Sequence, residues 1–285
     1  MKHQKQYFIT QDNLSVFKSW LVDEEKAAST VKKYTGGVKN FGAWLGGAAV
    51  TKAAAIDYKH FLHKKRERKV TGVNADIAAL NSFFSFMNWG IKIKPFKIQK
   101  SIFRGMEEEL TTDEYFRLLE AAKNQGGERL NLILQTLCAT GIRVSELPYV
   151  TKKAVSSGSF LLTGKGKTRV VFLPKKLRPL LLSYSRRCNI EEGSLFLSRR
   201  GKRLNRSNIW SEMKRLCAAA DVEPSKVFPH NLRRLFARHY YNADKDIVRL
   251  ADVLGHSSID TTRIYLMESG VEHRRCVDSL ELVRA

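Results

Sequence analysis

Acidic side chains are scarce in this chain of 285 residues: 28 Asp plus Glu stand against 50 Lys plus Arg, a formal net charge of +22. A soluble protein that keeps so much self-repulsion faces a polyanion, and nucleic acid is the commonest. A ribosomal or membrane-surface role stays open on charge alone. Cysteine is also sparse. Cys138, Cys188, Cys217 and Cys276 lie far apart, with no Cys-x-x-Cys spacing and no neighbouring set of histidines, which argues against a zinc site and for a reduced, cytoplasmic protein. No apolar run approaches the roughly 18 residues that span a bilayer. The polar start MKHQKQYFITQDN lacks the apolar stretch of a signal peptide. Internal repeats and low-complexity tracts are missing too, while a 43% hydrophobic content suffices for a proper core. The length suits one large domain or two of ordinary size.

The positive charge is shared along the chain. Residues 1–100 hold 18 Lys or Arg and 7 Asp or Glu, a net of +11, and the remainder carries the other +11. The runs KKRERK (64–69) and SRRGKR (198–203) each read equally well as solvated faces. Two basic halves together favour a clamp around the anion.

The first hundred residues read as four helices. Leu14, Phe17, Trp20 and Leu21 recur at helical spacing, and Ser29 or Thr30 is placed to cap TVKKYTGGVKNFGAWL. TKAAAIDYKHFLHKK follows from about 51, and GVNADIAALNSFFSFMNWG from about 72. In IKIKPFKIQKSIFRG, alternation replaces the helical period and Pro95 forbids a continuing helix, so 91–107 reads as an extended basic linker. A second domain, 108–285, opens at LTTDEYFRLLEAA, where Thr111 or Thr112 begins a helix with acids in its first turn. SGSFLLTG, TRVVFLP and SLFLSRRGKRL read as strands joined by Gly-containing turns. From about 207 the pattern is helical again. The expected fold is therefore mainly α with a small antiparallel β-sheet, an α+β class.

Four stretches contain side chains able to handle a phosphodiester. In ATGIRVSEL, Gly141 ends a helix, Arg143 follows at once, and Glu146 lies three residues on. Arg143 alone reads as readily as a surface residue or a structural ion pair. In TGKGKTRVVFLP, Lys165 and Lys167 sit in a tight turn between strands, which can project an ammonium into a groove or be a plain basic hairpin. In PHNLRRLFARHYYN, His230 and Arg233 are three apart and share a helical face. In LGHSSIDTTRIYL, Gly255 allows a sharp turn at His256, and Asp260 or Thr261 can begin a short helix carrying Tyr265.

Taken together, these stretches resemble the tyrosine recombinases, the family of phage integrases and Xer-type resolvases. The likeness covers essentially the whole chain, because Arg, Lys, His-x-x-Arg, Gly-His and Tyr occur in the family's order at its usual distances. It implies a helical, SAM-like core-binding domain over 1–90, the linker at 91–107, and a catalytic domain with a C-terminal interaction tail. Arg143 and Arg233 would grip the non-bridging oxygens of the scissile phosphate. Lys165 would protonate the departing 5′ oxygen, with Lys167 as the alternative. His230 would act as general base or hydrogen-bond partner, and His256 would hold the phosphate or the tyrosine oxygen. Tyr265 would attack phosphorus, giving a 3′-phosphotyrosyl bond and a free 5′ hydroxyl. Glu146 would support a catalytic cation or the histidine. The cations replace a metal, so no cofactor, no metal and no ATP are expected.

Two departures from the family pattern stand out. LPYVTKKAV carries lysines where an acidic residue is usual, and the hairpin is one residue shorter than the common form. The resemblance further implies double-stranded DNA with short inverted-repeat core sites as partner. It implies a homotetramer on two such sites, alone or with a paralogous recombinase, in the cytoplasm at a prokaryotic nucleoid, with no membrane role. VTGVNADIAALNSFF is one candidate for a helix placed in a major groove, and the tail, with Val271, Val277, Leu280 and Val283 at roughly helical spacing, packs on its own domain or on a neighbouring subunit. A type IB topoisomerase and a catalytically silent DNA-binding protein are the competing classes.

Overall fold

The computed structural model describes residues 6–98, 109–164, 167–198, 201–266 and 278–280. The chain separates into two compact units, Met1–Lys100 and Ser101–Ala285. The first contains α1 (Gln11–Asp23), α2 (Ala28–Leu45), α3 (Lys52–Lys64) and α4 (Val70–Phe86). Helix α1 begins at a reciprocal cap in which Thr10 Oγ1 accepts from the Asn13 N–H and Asn13 Oδ1 accepts from the Thr10 N–H. Thr51 caps α3 in the simpler way. Helix α2 starts earlier than its capping residues suggest: Ala27 precedes it, and Ser29 and Thr30 lie inside its first turn. Burial of Val31, Val38 and Phe41 along one face outweighs a side-chain cap, which contributes only about 1 kcal/mol.

Phe17, Phe41, Phe83, Phe84, Leu21 and Leu80 fill this core. Fully burying each such side chain stabilises the fold by about 1.5–3 kcal/mol. Helix α4 is central, with seven buried positions. Its other faces pack inward, leaving Thr71, Ala78 and Ser85 exposed seven residues apart as a single stripe. Its two internal asparagines are occupied as well. Asn81 exchanges two hydrogen bonds with the backbone of Ile93, and Asn74 does the same with Phe96. Residues 91–98 are thus extended, as their alternation requires, and docked on the first unit with Ile93 buried. The rest of that basic stretch, 99–108, lies outside the described residues.

The second unit holds α5 (Thr112–Ala121), α6 (Gly127–Thr140), α7 (Lys152–Ser157), β1 (Ser159–Gly164), β2 (Lys167–Phe172), α8 (Leu177–Arg187), α9 (Arg206–Arg215), α10 (Cys217–Ala220), α11 (Pro229–Asp244), α12 (Ile247–Leu254) and α13 (Ile259–Arg263). Thr111 and Glu114 form a capping box at α5. Helix α6 buries Leu130, Leu132, Ile133, Leu134 and Leu137 and forms the centre of the core. Leu232 and Leu235 of α11 join that core.

Among the described residues the only sheet is two-stranded and antiparallel, pairing Leu162 with Arg169 and Gly164 with Lys167. The stretch SLFLSRRGKRL does not add a third strand. Its Leu195 N–H is drawn instead to the Val150 carbonyl, and Leu195 and Phe196 are buried in the core, so only isolated pairings, Thr151 with Ser194 and Leu197 with Arg203, remain. No helix among the described residues is long and apolar enough to cross a membrane.

Candidate active site

Helix α6 stops because Gly141 takes a left-handed conformation, φ +63°, and the aromatic ring of Phe236 fills the space a side chain would need. A Cβ there would come within 2.4 Å of the ring. The turn delivers Arg143, whose backbone N–H donates to Glu146 Oε2 at 2.7 Å and whose Nη1 donates to Oε1 at 3.1 Å. A second guanidinium grips the same carboxylate: Arg169 of β2 donates to Oε2 at 2.7 Å and to Oε1 at 3.2 Å. Burial pushes the Glu146 carboxyl up. The bonds from Arg169 and the Arg143 N–H, with the charges of both guanidiniums, outweigh that and hold it below the usual carboxylate range.

Arg233 and His230 share α11, as their spacing requires, but they face different surroundings. Arg233 is 1% exposed. It donates to the Gly141 carbonyl, to Leu254 O at 2.5 Å and to His256 Nε2 at 3.1 Å. Both carbonyls lie where a helix ends and its last acceptors lack intrahelical partners. The Nε atoms of Arg233 and Arg169 are buried with no partner among the described residues. Burial, followed by the nearby Arg143, lowers Arg233 to about 10, which leaves it charged at neutral pH. His230 is exposed. Lost hydration and then Arg206, Arg233, Arg234 and Arg143 hold it below the ordinary imidazole value, so it is mainly neutral at pH 7.

The third wall is the segment after α12. Gly255 turns with φ +63° directly over Arg169, leaving 2.7 Å between a notional Cβ and Nη1. His256 follows, 7% exposed. Its Nδ1 lies 2.8 Å from Thr262 Oγ1 and its Nε2 faces Arg233. A guanidinium only donates, so Nε2 must be the bare nitrogen and the proton sits on Nδ1, donated to Thr262. Burial, then Arg233, Arg143 and Arg169, pushes the imidazole down to about 4.

Ser258 caps α13, and the helix ends at Arg263. Both bounds correct the expectation that Asp260 or Thr261 starts a helix carrying Tyr265. The Ser258 hydroxyl is the better-placed acceptor, and Tyr265 stands in the turn beyond, its N–H bonded to the Thr262 carbonyl at 2.9 Å. Its half-buried ring lies 5.0 Å from that of His256, with the Arg234 guanidinium 5.9 Å from its centroid.

Arg143, Arg233, His256 and Tyr265 are therefore brought together, with His230 on the exposed edge of the same helix as Arg233. Lys165 lies outside the described residues, and Lys167 begins β2 opposite Gly164. Two members were not singled out in the sequence. Arg169 could have been found by the pleat: it faces Leu162, a buried position, and must point inward. Thr262, fully buried, gives no such signal. Three guanidiniums around one carboxylate leave an excess of positive charge in a partly desolvated recess beside a phenol. Such an arrangement can neutralise a phosphoryl group while an oxygen nucleophile approaches it.

The model of the phage integrase family matches residues 108–270. Tyrosine recombinase XerA of Thermococcus kodakarensis is 32% identical over 269 residues, covering 91% of this chain and 91% of that protein. Tyrosine recombinase XerD of Chlamydia muridarum is 35% identical over 224 residues, 71% of this chain and 72% of that protein. The fold is similar to that of the XerH site-specific recombinase bound to its difH substrate before cleavage, with a TM-score of 0.68, 18% identity and 93% and 88% of the two chains covered. It is also similar to a lambda integrase tetramer on a Holliday junction, with a TM-score of 0.70, 18% identity and 89% and 76% covered.

Proposed function

The chain belongs to the phage integrase family of tyrosine recombinases, and from that membership we propose that Tyr265 is the nucleophile with which this site-specific recombinase cuts and rejoins duplex DNA. The observation that carries the assignment is the convergence of Arg143, Arg169 and Arg233 on the recess beside the Tyr265 and His256 rings. The Tyr265 oxygen attacks the scissile phosphorus, the 5′ oxygen leaves, and a 3′-phosphotyrosyl bond forms. Arg143 and Arg233 donate to the non-bridging oxygens and stabilise the charge of the five-coordinate transition state. Neutral His230 is competent to take the phenol proton. His256, neutral with Nε2 as acceptor, holds Arg233 in place rather than supplying a proton. Lys165 protonates the leaving 5′ oxygen, with Lys167 as the alternative. The phosphotyrosine conserves the energy of the broken bond, so a free 5′ hydroxyl reverses the step without ATP.

In this reading, residues 1–90 form a core-binding domain, 91–107 a basic connection and 108–285 the catalytic domain with its tail. Phosphate contacts from the first domain come from the solvent side of α2, where Lys32, Lys33 and Lys39 are exposed, and from Lys64, Lys65 and Lys69. These supply affinity that falls steeply with salt. The partner is double-stranded DNA with inverted-repeat core sites at a prokaryotic nucleoid. Four copies act on two sites; the tail, given to its own domain or to a neighbouring subunit, lies outside the described residues except for 278–280.

The test is covalent capture. Protein and its Tyr265→Phe variant are incubated with fragmented host DNA, stripped with detergent, and the retained DNA is sequenced. Retention by the unaltered protein alone, on fragments sharing an inverted repeat, supports the reading. Retention without a shared sequence favours a type IB topoisomerase. Binding with no retained DNA on any host fragment favours a silent DNA-binding protein.

A further inference from the structure

Thr262 is a small residue with two distinct attachments. Its hydroxyl accepts the Nδ1 proton of His256 at 2.8 Å, and its carbonyl accepts the Tyr265 N–H at 2.9 Å. It is fully buried, so water does not compete for either bond. His256 in turn accepts from Arg233, which is itself pinned to the carbonyls of Gly141 and Leu254. A continuous chain of hydrogen bonds therefore runs from the backbone of Tyr265, through Thr262 and His256, to the guanidinium assigned to the phosphate. We infer that Thr262 is a positioning residue: it accepts the Nδ1 proton of the tautomer that Arg233 selects, seats the imidazole, and registers the tyrosine against the phosphate-binding arginines. The inference rests on Tyr265 being the nucleophile.

The physical requirement is specific. With the Thr262 oxygen gone, the buried Nδ1–H has no acceptor, and moving the proton to Nε2 brings no relief. An Nε2–H would face the Nη2 of Arg233, two donors opposed, so with either tautomer one ring nitrogen is unsatisfied and the imidazole must shift from its seat against the guanidinium. The charged groups around His256 are Arg233 from α11, Arg143 from the turn after α6 and Arg169 from β2, with the Tyr265 ring against its face. All three cations oppose a second proton on the ring, so the seating of the neutral imidazole, rather than its protonation, is the variable that Thr262 controls.

The experiment uses the full chain with Thr262→Val, which keeps the shape and deletes the oxygen, and Thr262→Ser, which restores it. Nitrogen-15 spectra of histidine-labelled protein read the His256 tautomer, and single-turnover formation of the covalent complex on the captured DNA site reads the chemistry. The unaltered protein should show the proton on Nδ1. Thr262→Val should move both His256 nitrogen signals, as Nδ1–H loses its acceptor and Nε2 its seat against Arg233, and slow covalent complex formation by about 10²-fold, the scale of a misplacement near 1 Å. DNA affinity should stay within about twofold, and Thr262→Ser should recover most of the rate by restoring the hydrogen bond. An Nε2–H tautomer in the unaltered protein, or a Thr262→Val rate equal to the unaltered one, overturns the inference while leaving Tyr265 in place. Equal slowing of both variants also overturns it, because the hydroxyl then does nothing that shape does not. Failure of the unaltered protein to form any adduct on its site overturns the nucleophile assignment, and this inference with it.

Discussion

Replacing Glu146 by glutamine exchanges one oxygen for an amino group and deletes one charge, yet it should be among the most damaging conservative changes in the catalytic unit. Both carboxylate oxygens are used, accepting from the Arg143 N–H and Nη1 and from both terminal nitrogens of Arg169. An amide offers one acceptor and turns a donor towards one of the guanidiniums. Glu146 and Arg169 are 15% and 13% exposed, whereas Arg143 is 37% exposed. Stranding a fully buried partner costs about 3–5 kcal/mol. Solvent at Arg143 reduces this to about 2–4 kcal/mol. For a unit of this size, that lowers the melting temperature by about 5–15 °C.

The pH dependence supplies a sign test for the same variant. The folded carboxyl lies below its unfolded value, so its contribution is complete above the unfolded pKa of about 4.3 and is lost as pH falls through the folded value. Calorimetry should find a constant gap between the two proteins above about pH 5 that closes in acid. Cleavage by the variant should fall more than DNA binding, since Arg143 loses its orientation while the peripheral lysines are unchanged. Equal melting temperatures at pH 7, or a gap that widens in acid, would refute the reasoning.

Gly141→Ala combines a left-handed backbone with a clash against Phe236 and should cost about 2–5 kcal/mol. Gly36→Ala, in α2 with open space at its Cβ, should instead stabilise by up to about 1 kcal/mol; thermal melts compare the two. His256 has a folded pKa of about 4 against the ordinary 6.5, so stability from this site is complete above pH 6.5 and lost as pH falls towards 4. His256→Gln should flatten that part of the stability–pH curve, and an unchanged curve would count against a buried neutral imidazole. A 5′-bridging sulfur leaves without needing a proton. Lys165→Ala should therefore cleave such a substrate close to normally while failing on ordinary DNA, and rescue of Lys167→Ala alone would move the general acid to Lys167.

The family was legible in the sequence because Arg143, Arg233, His256 and Tyr265 stand in the order of its motif, and the fold brings these four together. What escaped was decided by packing. Arg169 becomes recognisable only once the strand register places it opposite Leu162. Thr262 has no sequence signal of its own, and only its burial and its bond to Nδ1 show that its hydroxyl serves His256. Asn74 and Asn81 of α4 complete the hydrogen bonding of the extended segment beside it, a pairing across 22 and 12 residues that no local pattern announces. The third strand failed for a related reason: its apolar residues, Leu195 to Leu197, are consecutive, and the core, rather than a sheet edge, takes Leu195 and Phe196.

The central claim is that Tyr265 carries the DNA. The most direct test is to digest the covalent complex with protease and nuclease and identify the modified peptide by mass spectrometry. A single peptide spanning Tyr265, bearing a 3′-phosphonucleotide on the phenolic oxygen and absent from the Tyr265→Phe protein, is the predicted result. The same adduct on Tyr240 or Tyr241, or a 5′-phosphate linkage at any residue, would contradict the account.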